Sequence, residues 1–143
     1  MTNFVGIDLG TTFSAAAYID QTGRPVIIRD EDGNNIIPSC VAIEDGRIDV
    51  GEEAKKVWGI DENLAAARFK RVMGEPERFR IGDKDFSPTE LSAAVLKKIA
   101  DYTKSEIGEI HEAVITIPAN FSTEAREATM EAAKKAGLNV RYI

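Results

Sequence analysis

Ser87-Pro88-Thr89-Glu90 opens the stretch that most constrains the fold of this 143-residue chain. Ser87 can cap a helix, Pro88 takes the first helical position where its missing N–H costs nothing, and Glu90 completes a capping box. Leu91, Val95, Leu96, Ile99 and Tyr102 then form one apolar stripe, and Gly108 can close the end, so the spacing predicts an amphipathic helix over 88–107. A β-branched run from Glu112 to Ile117 stops at Pro118. A second helix over 123–136 starts at Ser122 or Thr123 and stops at Gly137, and Leu138 to Ile143 reads as another strand. Strands joined through helices pair in parallel and need those helices to cover the sheet, so this half dictates an α/β layer structure.

The first half reads differently. Phe4 to Asp8, Ser14 to Ile19 and Pro25 to Arg29 are short apolar or β-branched runs separated by glycine turns, and they predict a three-strand meander. Ser39 to Ile43 and Arg47 to Val50 flank Asp45-Gly46, a strong hairpin signal. From Gly51 to Gly74, Ala54, Val57 and Trp58, then Leu64, Ala67 and Val72, recur at helical spacing and predict one or two short helices. Arg78 to Phe86, broken at Gly82-Asp83, predicts a small hairpin. The order is β-β-β-(insert)-α-β-α-β around a mixed sheet. Residues 1–38 and 87–143 form one sheet-and-helix subdomain, and 39–86 form a smaller inserted one.

Charge and composition narrow the function. Eighteen Lys and Arg against 24 Asp and Glu give a net charge of −6, with no basic stripe, which disfavours nonspecific nucleic-acid binding. One Cys and one His exclude an internal disulfide and make a Cys/His zinc site implausible. Cys40, with no base or cationic cluster beside it in sequence, reads as a small core residue rather than a nucleophile. His111 reads as a loop residue. The start of the chain has no basic region and meets Asp8 too early for a signal peptide, and no run of about 18 apolar residues occurs. A cytoplasmic, reducing environment is expected.

Asp8-Leu9-Gly10-Thr11-Thr12 falls in the turn between the first two strands. Glycine there lets backbone amides approach a phosphate, and two hydroxyls add donors. Asp8, at a strand end, suits a hydrated Mg²⁺, which takes only one or two carboxylates. The same residues also serve an ordinary hairpin turn. Lys70, in Arg68-Phe69-Lys70-Arg71 at a predicted helix end, reads on its own as part of a solvated basic face favoured by the helix dipole. Pro118 reads as punctuation between strand and helix, and Arg126 as a solvent-facing residue of the first helical turn.

Taken together, several segments resemble the seventy-kilodalton heat-shock chaperone (DnaK) family. Gly6-Ile7-Asp8-Leu9-Gly10-Thr11-Thr12-Phe13-Ser14 resembles its first phosphate loop, Asn35-Ile36-Ile37-Pro38-Ser39 its Pro-Ser segment, and Phe69-Lys70-Arg71-Val72-Met73-Gly74 its Lys-Arg helix end. Ser87-Pro88-Thr89-Glu90-Leu91-Ser92, Val114-Ile115-Thr116-Ile117-Pro118-Ala119-Asn120-Phe121 and Ala136-Gly137-Leu138 follow collinearly. The resemblance implies an actin-like ATPase (ribonuclease H-like) lobe with ATP/ADP and Mg²⁺ as ligands. It implies that Asp8 orients Mg²⁺ through water, and that Gly10, Thr11, Thr12 and the Phe13 backbone N–H hold the β- and γ-phosphates. Lys70 would position the attacking water, while Pro118 and Arg126 would form a switch to a substrate-binding domain. The implied partners are unfolded polypeptides, a J-domain co-chaperone and a nucleotide exchange factor.

The sequence departs from the family at Phe13, where Asn or Tyr is usual, at Asn120, where Tyr is usual, and in a shorter insert around residues 75–86. The resemblance covers the first half of the first lobe, and a truncated lobe is the expectation. On that expectation the chain alone binds ATP weakly and does not turn it over. An uncovered terminal strand would favour self-association through exposed apolar surface. Two alternatives stand beside the chaperone reading: a carbohydrate kinase of the same superfold, and a short, non-catalytic chaperone paralogue acting as an interaction module.

Overall fold

In the computed structural model, which describes residues 3–142, β1 (Phe4–Leu9) alternates exposed and buried side chains along its length. Val5, Ile7 and Leu9 point into the core, and Phe4, Gly6 and Asp8 point out. That period-two pattern places β1 at the centre of a sheet with one covered face. β2 (Phe13–Ile19) and β3 (Pro25–Ile27) follow as the antiparallel meander expected from the sequence. β4 (Ile37–Pro38) returns to pair with the start of β2, Phe13 opposite Pro38 and Ser14 opposite Ile37.

The covering helices come from the second half. α2 (Pro88–Ile107) has Ser87 as N-cap, with its hydroxyl accepting from the Glu90 N–H and the Glu90 carboxylate accepting from the Ser87 N–H, the reciprocal capping box read from the sequence. Gly108 ends it. Its buried stripe of Leu91, Val95, Leu96, Ile99 and Tyr102 packs in one cluster with Val5, Ile7, Leu9, Ala113 and Ile115. β10 (Glu112–Thr116) lies parallel to β1, and β11 (Val140–Tyr142) parallel to β10. α3 (Thr123–Lys135) bridges β10 and β11 and joins the same core through Ala132 and Ala133. The sheet is therefore mixed, in the order β11-β10-β1-β2-β3 with β4 beside β2. Its outer face carries Phe4, Ile19, Ile27 and Val114 in exposed positions.

The end of α3 differs from the sequence expectation, which began the last strand at Leu138. The Gly137 N–H bonds the Lys134 carbonyl and the Leu138 N–H bonds the Ala133 carbonyl, so Leu138 belongs to a helix-closing motif and is buried there. Ile143, the other end of that expected strand, lies outside the described residues.

Between the meander and α2, β5 (Cys40–Glu44) and β6 (Arg47–Val50) form the hairpin closed by Asp45-Gly46. α1 (Glu52–Ile60) follows. The second helix expected over Leu64 to Val72 is absent among the described residues: Ala65–Ala67 form β7, which pairs antiparallel with β5, Cys40 opposite Ala67 and Ala42 opposite Ala65. Alanine favours helix by intrinsic propensity, but three small residues can pass close over α1 in a small-residue core of Cys40, Ala42, Ala54 and Ala65, and tertiary packing overrides propensity. Lys70 consequently sits on a tight 3₁₀ turn over Phe69–Val72, not at a helix end. β8 (Phe79–Ile81) and β9 (Lys84–Phe86) make the small hairpin. Val41, Ala66, Phe69 and Ile81 from this stretch join the main core.

Candidate phosphate-binding site

The turn from β1 to β2 spans Gly10, Thr11 and Thr12, with Leu9 opposite Ser14 at its base. It folds back so tightly that a Cβ on Gly10 would lie 2.1 Å from the Phe13 carbonyl oxygen, so only glycine is accommodated there. Ser39, immediately after β4, fixes the loop from the side. Its hydroxyl donates to the Gly10 carbonyl at 2.8 Å and shares a 2.8 Å hydrogen bond with the Ser14 hydroxyl, and its N–H donates to the Thr12 carbonyl at 2.9 Å. Ser39 and Ser14 are both buried, so these bonds act where water does not compete. The Pro-Ser segment was legible as a motif; its role as a brace needed the pairing of β4 with β2.

Asp8 occupies the outward, exposed side of β1 one residue before the buried Leu9. Its neighbours in register are Ala15 on β2 and Thr116 on β10. The Thr116 hydroxyl donates to Asp8 Oδ1 at 3.2 Å, which orients the carboxylate and leaves its second oxygen free for a ligand. Sequence reading did not single out Thr116. The signal is the parallel register of two strands 108 residues apart, which no local pattern contains.

Lys70 reaches this loop from the insert. Arg68 adopts a left-handed conformation, φ 60°, and turns the chain from β7 into the 3₁₀ turn that carries Lys70. The Lys70 ammonium is buried and donates to the Leu9 carbonyl. Burial lowers its pKa from the ordinary lysine value, and the Asp8 carboxylate opposes that shift. Asp8, Gly10, Thr11, Thr12, Phe13 and Lys70 are thus brought to one end of the sheet.

Neither Pro118 nor Arg126 enters this group; the residues between them do meet its lysine turn. The Lys70 ammonium lies 5.6 Å from the centre of the Phe121 ring, and the Phe121 N–H closes a turn on the Pro118 carbonyl at 3.1 Å. Met73 packs with Ala125, Ala128 and Phe121. Gly74 passes so close to the start of α3 that a Cβ on it would meet the Glu124 carbonyl carbon at 2.6 Å. The lysine turn and the beginning of α3 are therefore in direct contact. Arg126 is exposed and forms no ion pair among the described residues. No group of three or more His, Cys, Asp or Glu able to hold a metal occurs among the described residues, and no helix there is long and apolar enough to cross a membrane.

A mixed sheet of this order, covered by helices from the second half, is consistent with an actin-like ATPase lobe. The family described as "Hsp70 protein" matches residues 4–80 and 78–143, and the chain belongs to that family. It is 40% identical over 140 residues to the chaperone protein DnaK of Mycoplasmopsis agalactiae, an alignment covering 97% of this chain and 23% of that protein. The chain thus spans about a quarter of that relative's length.

Proposed function

We propose that this chain is the phosphate-binding part of a chaperone ATPase, one that binds Mg-ATP and hydrolyses it to drive cycles of unfolded-polypeptide binding and release. The observation that carries this reading is the convergence of two segments far apart in the chain, Asp8 with the Gly10–Phe13 turn and Lys70 from the insert. The residues fit the implied ligands. Glycine at position 10 lets the turn close on the Phe13 carbonyl, which a Cβ would strike, and Asp8 offers one uncommitted carboxylate oxygen to a hydrated cation. When bound, Mg²⁺ offsets phosphate charge and orients the transferable group.

The chain's own groups have distinct tasks in this reading. Gly10, Thr11, Thr12 and the Phe13 N–H hold the β- and γ-phosphates. Thr116 keeps Asp8 turned toward the cation's waters. Lys70, anchored on the Leu9 carbonyl, presents a fixed positive charge where the attacking water is oriented. Pro118 and Arg126 relay nucleotide state through the contact between the lysine turn and α3. Residues 1–38 and 87–143 act as one subdomain and 39–86 as the insert that delivers Lys70. A J-domain co-chaperone, a nucleotide exchange factor and a cytoplasmic location accompany this reading.

The test is a chimera in which this chain replaces the aligned 140 residues of the M. agalactiae relative. The chimera is expected to release phosphate from ATP at a steady rate, with Lys70→Ala and Asp8→Asn each lowering it about 100-fold or more. A folded, nucleotide-binding chimera whose rate is unaffected by both substitutions overturns the reading. The isolated chain is expected to bind Mg-ATP weakly; micromolar binding by calorimetry, or turnover, contradicts that part.

A further inference from the structure

A cavity of about 190 Å³ lies on the insert side of the turn, bordered by Thr11, Thr12, Ser39, Lys55, Trp58 and Arg68, together with Pro38, Cys40 and Ala67. It shares Thr11 and Thr12 with the group described above, but Asp8, Gly10 and Lys70 do not line it, so it lies on the other side of the shared turn. The volume lies below the roughly 300 Å³ at which sites for drug-sized ligands begin. No carboxylate lines it, in a chain that carries a net charge of −6.

Two cations border the cavity, and both are held by rings. The Lys55 ammonium lies 5.4 Å from the centre of the Phe13 ring, and the Arg68 guanidinium 5.7 Å from that of Trp58. Neither forms an ion pair with a carboxylate among the described residues. Arg68 also adopts one of only two left-handed non-glycine conformations among the described residues, a strain that native folds retain where the surroundings over-determine it. Burial pushes the Cys40 thiol up to about 11, so the wall beside the cations stays uncharged at neutral pH.

We infer that this cavity is a second oxyanion site, in which Arg68, Lys55 and the Thr11 and Thr12 hydroxyls take one tetrahedral anion, inorganic phosphate. Guanidinium and hydroxyl donors match phosphate oxygens, and the ring faces keep both cations extended over the cavity without neutralising them. The choice of phosphate rests on reading the neighbouring turn as a phosphate loop; the existence of an oxyanion site does not. Placed there, a phosphate would share Thr11 and Thr12 with the nucleotide site and compete for the same loop.

Trp58 is the single tryptophan, so it reports on the cavity directly. Inorganic phosphate titrated into the intact chain at constant ionic strength is expected to change Trp58 emission saturably, with half-saturation on the order of millimolar, while chloride does nothing. Arg68→Asn, which keeps a residue tolerant of positive φ, and Lys55→Gln, at an exposed helical position, are each expected to raise the half-saturation point about tenfold. Lys55→Gln carries the test alone if Arg68→Asn does not fold. A non-saturating response, or one unchanged in both variants, overturns the inference. A response lost in Lys70→Ala and kept in the other two places phosphate at the nucleotide side of the loop, which overturns the second site and leaves the ATPase reading standing. Conversely, an inactive chimera beside a saturable, Arg68-dependent response defeats the ATPase reading and not this one.

Discussion

The sheet core under α2 and the small sheet of the insert are packed on opposite principles. Under α2, large aliphatic side chains fill the space between layers: Leu96 and Ile99 meet Ile7, Leu9 and Ile115, all almost completely buried. In the insert, the buried centre is built from small side chains instead. Cys40, Ala42, Ala54 and Ala65 let β5, β7 and α1 pack through small side chains, with Val57 and Trp58 closing the edge. Both arrangements reach the close packing that protein interiors require. They fail in opposite directions, the first when a side chain shrinks and the second when one grows.

The largest effect should come from shrinking the first core. Leu96→Ala, at a site with 0% exposure, is expected to cost about 2–5 kcal/mol, read as a lower midpoint in urea unfolding. Next comes growth in the second. Ala42→Leu, also at 0% exposure and opposite Ala65, is expected to cost about 1–3 kcal/mol by overpacking. If Ala42→Leu is neutral, the insert has slack and the contrast breaks down.

A pH titration sharpens the same contrast through the dryness of the insert. The Cys40 thiol, pushed from 9.0 up to about 11 by burial, is neutral in both folded and unfolded chains below about pH 9. Between about 9 and 11 only the unfolded chain ionises there, so this group's contribution to stability is lost as pH rises, by up to about 3 kcal/mol over these two pH units at ~1.4 kcal/mol per unit. Cys40→Ala should remove that slope when unfolding curves of the two chains are compared across the range. The smallest effect is local. Ser87→Ala, which opens the capping box of α2, is expected to cost about 1 kcal/mol in the same unfolding experiment.

What could be read from the chain follows this division. α2 was legible to its end residues because its cap, stripe and closing glycine are local signals that agree with one another. The meander and the Asp45-Gly46 hairpin were legible for the same reason. β7 was not, because Ala65, Ala66 and Ala67 carry helix propensity and only the approach of β5 and α1 makes them a strand. The site divides likewise. Asp8 and Gly10 stand in a recognisable turn, and the family motifs marked Lys70 where composition alone placed it on a solvated face. Its burial against the Leu9 carbonyl, the brace from Ser39 and the hydroxyl of Thr116 depend on long-range registers that no window of sequence contains.

The parallel pairing of β1 with β10 also sets an order of events during synthesis. β2 emerges within a few residues of β1 and can pair with it at once, but the other edge of β1 has its partner only when Glu112 to Thr116 have been made. Until then the strand that carries Asp8 presents a bare row of amides and carbonyls, the kind of edge that recruits foreign strands. A nascent chain of this design is therefore exposed to the hazard of an unpaired strand until residues 112–116 have left the ribosome.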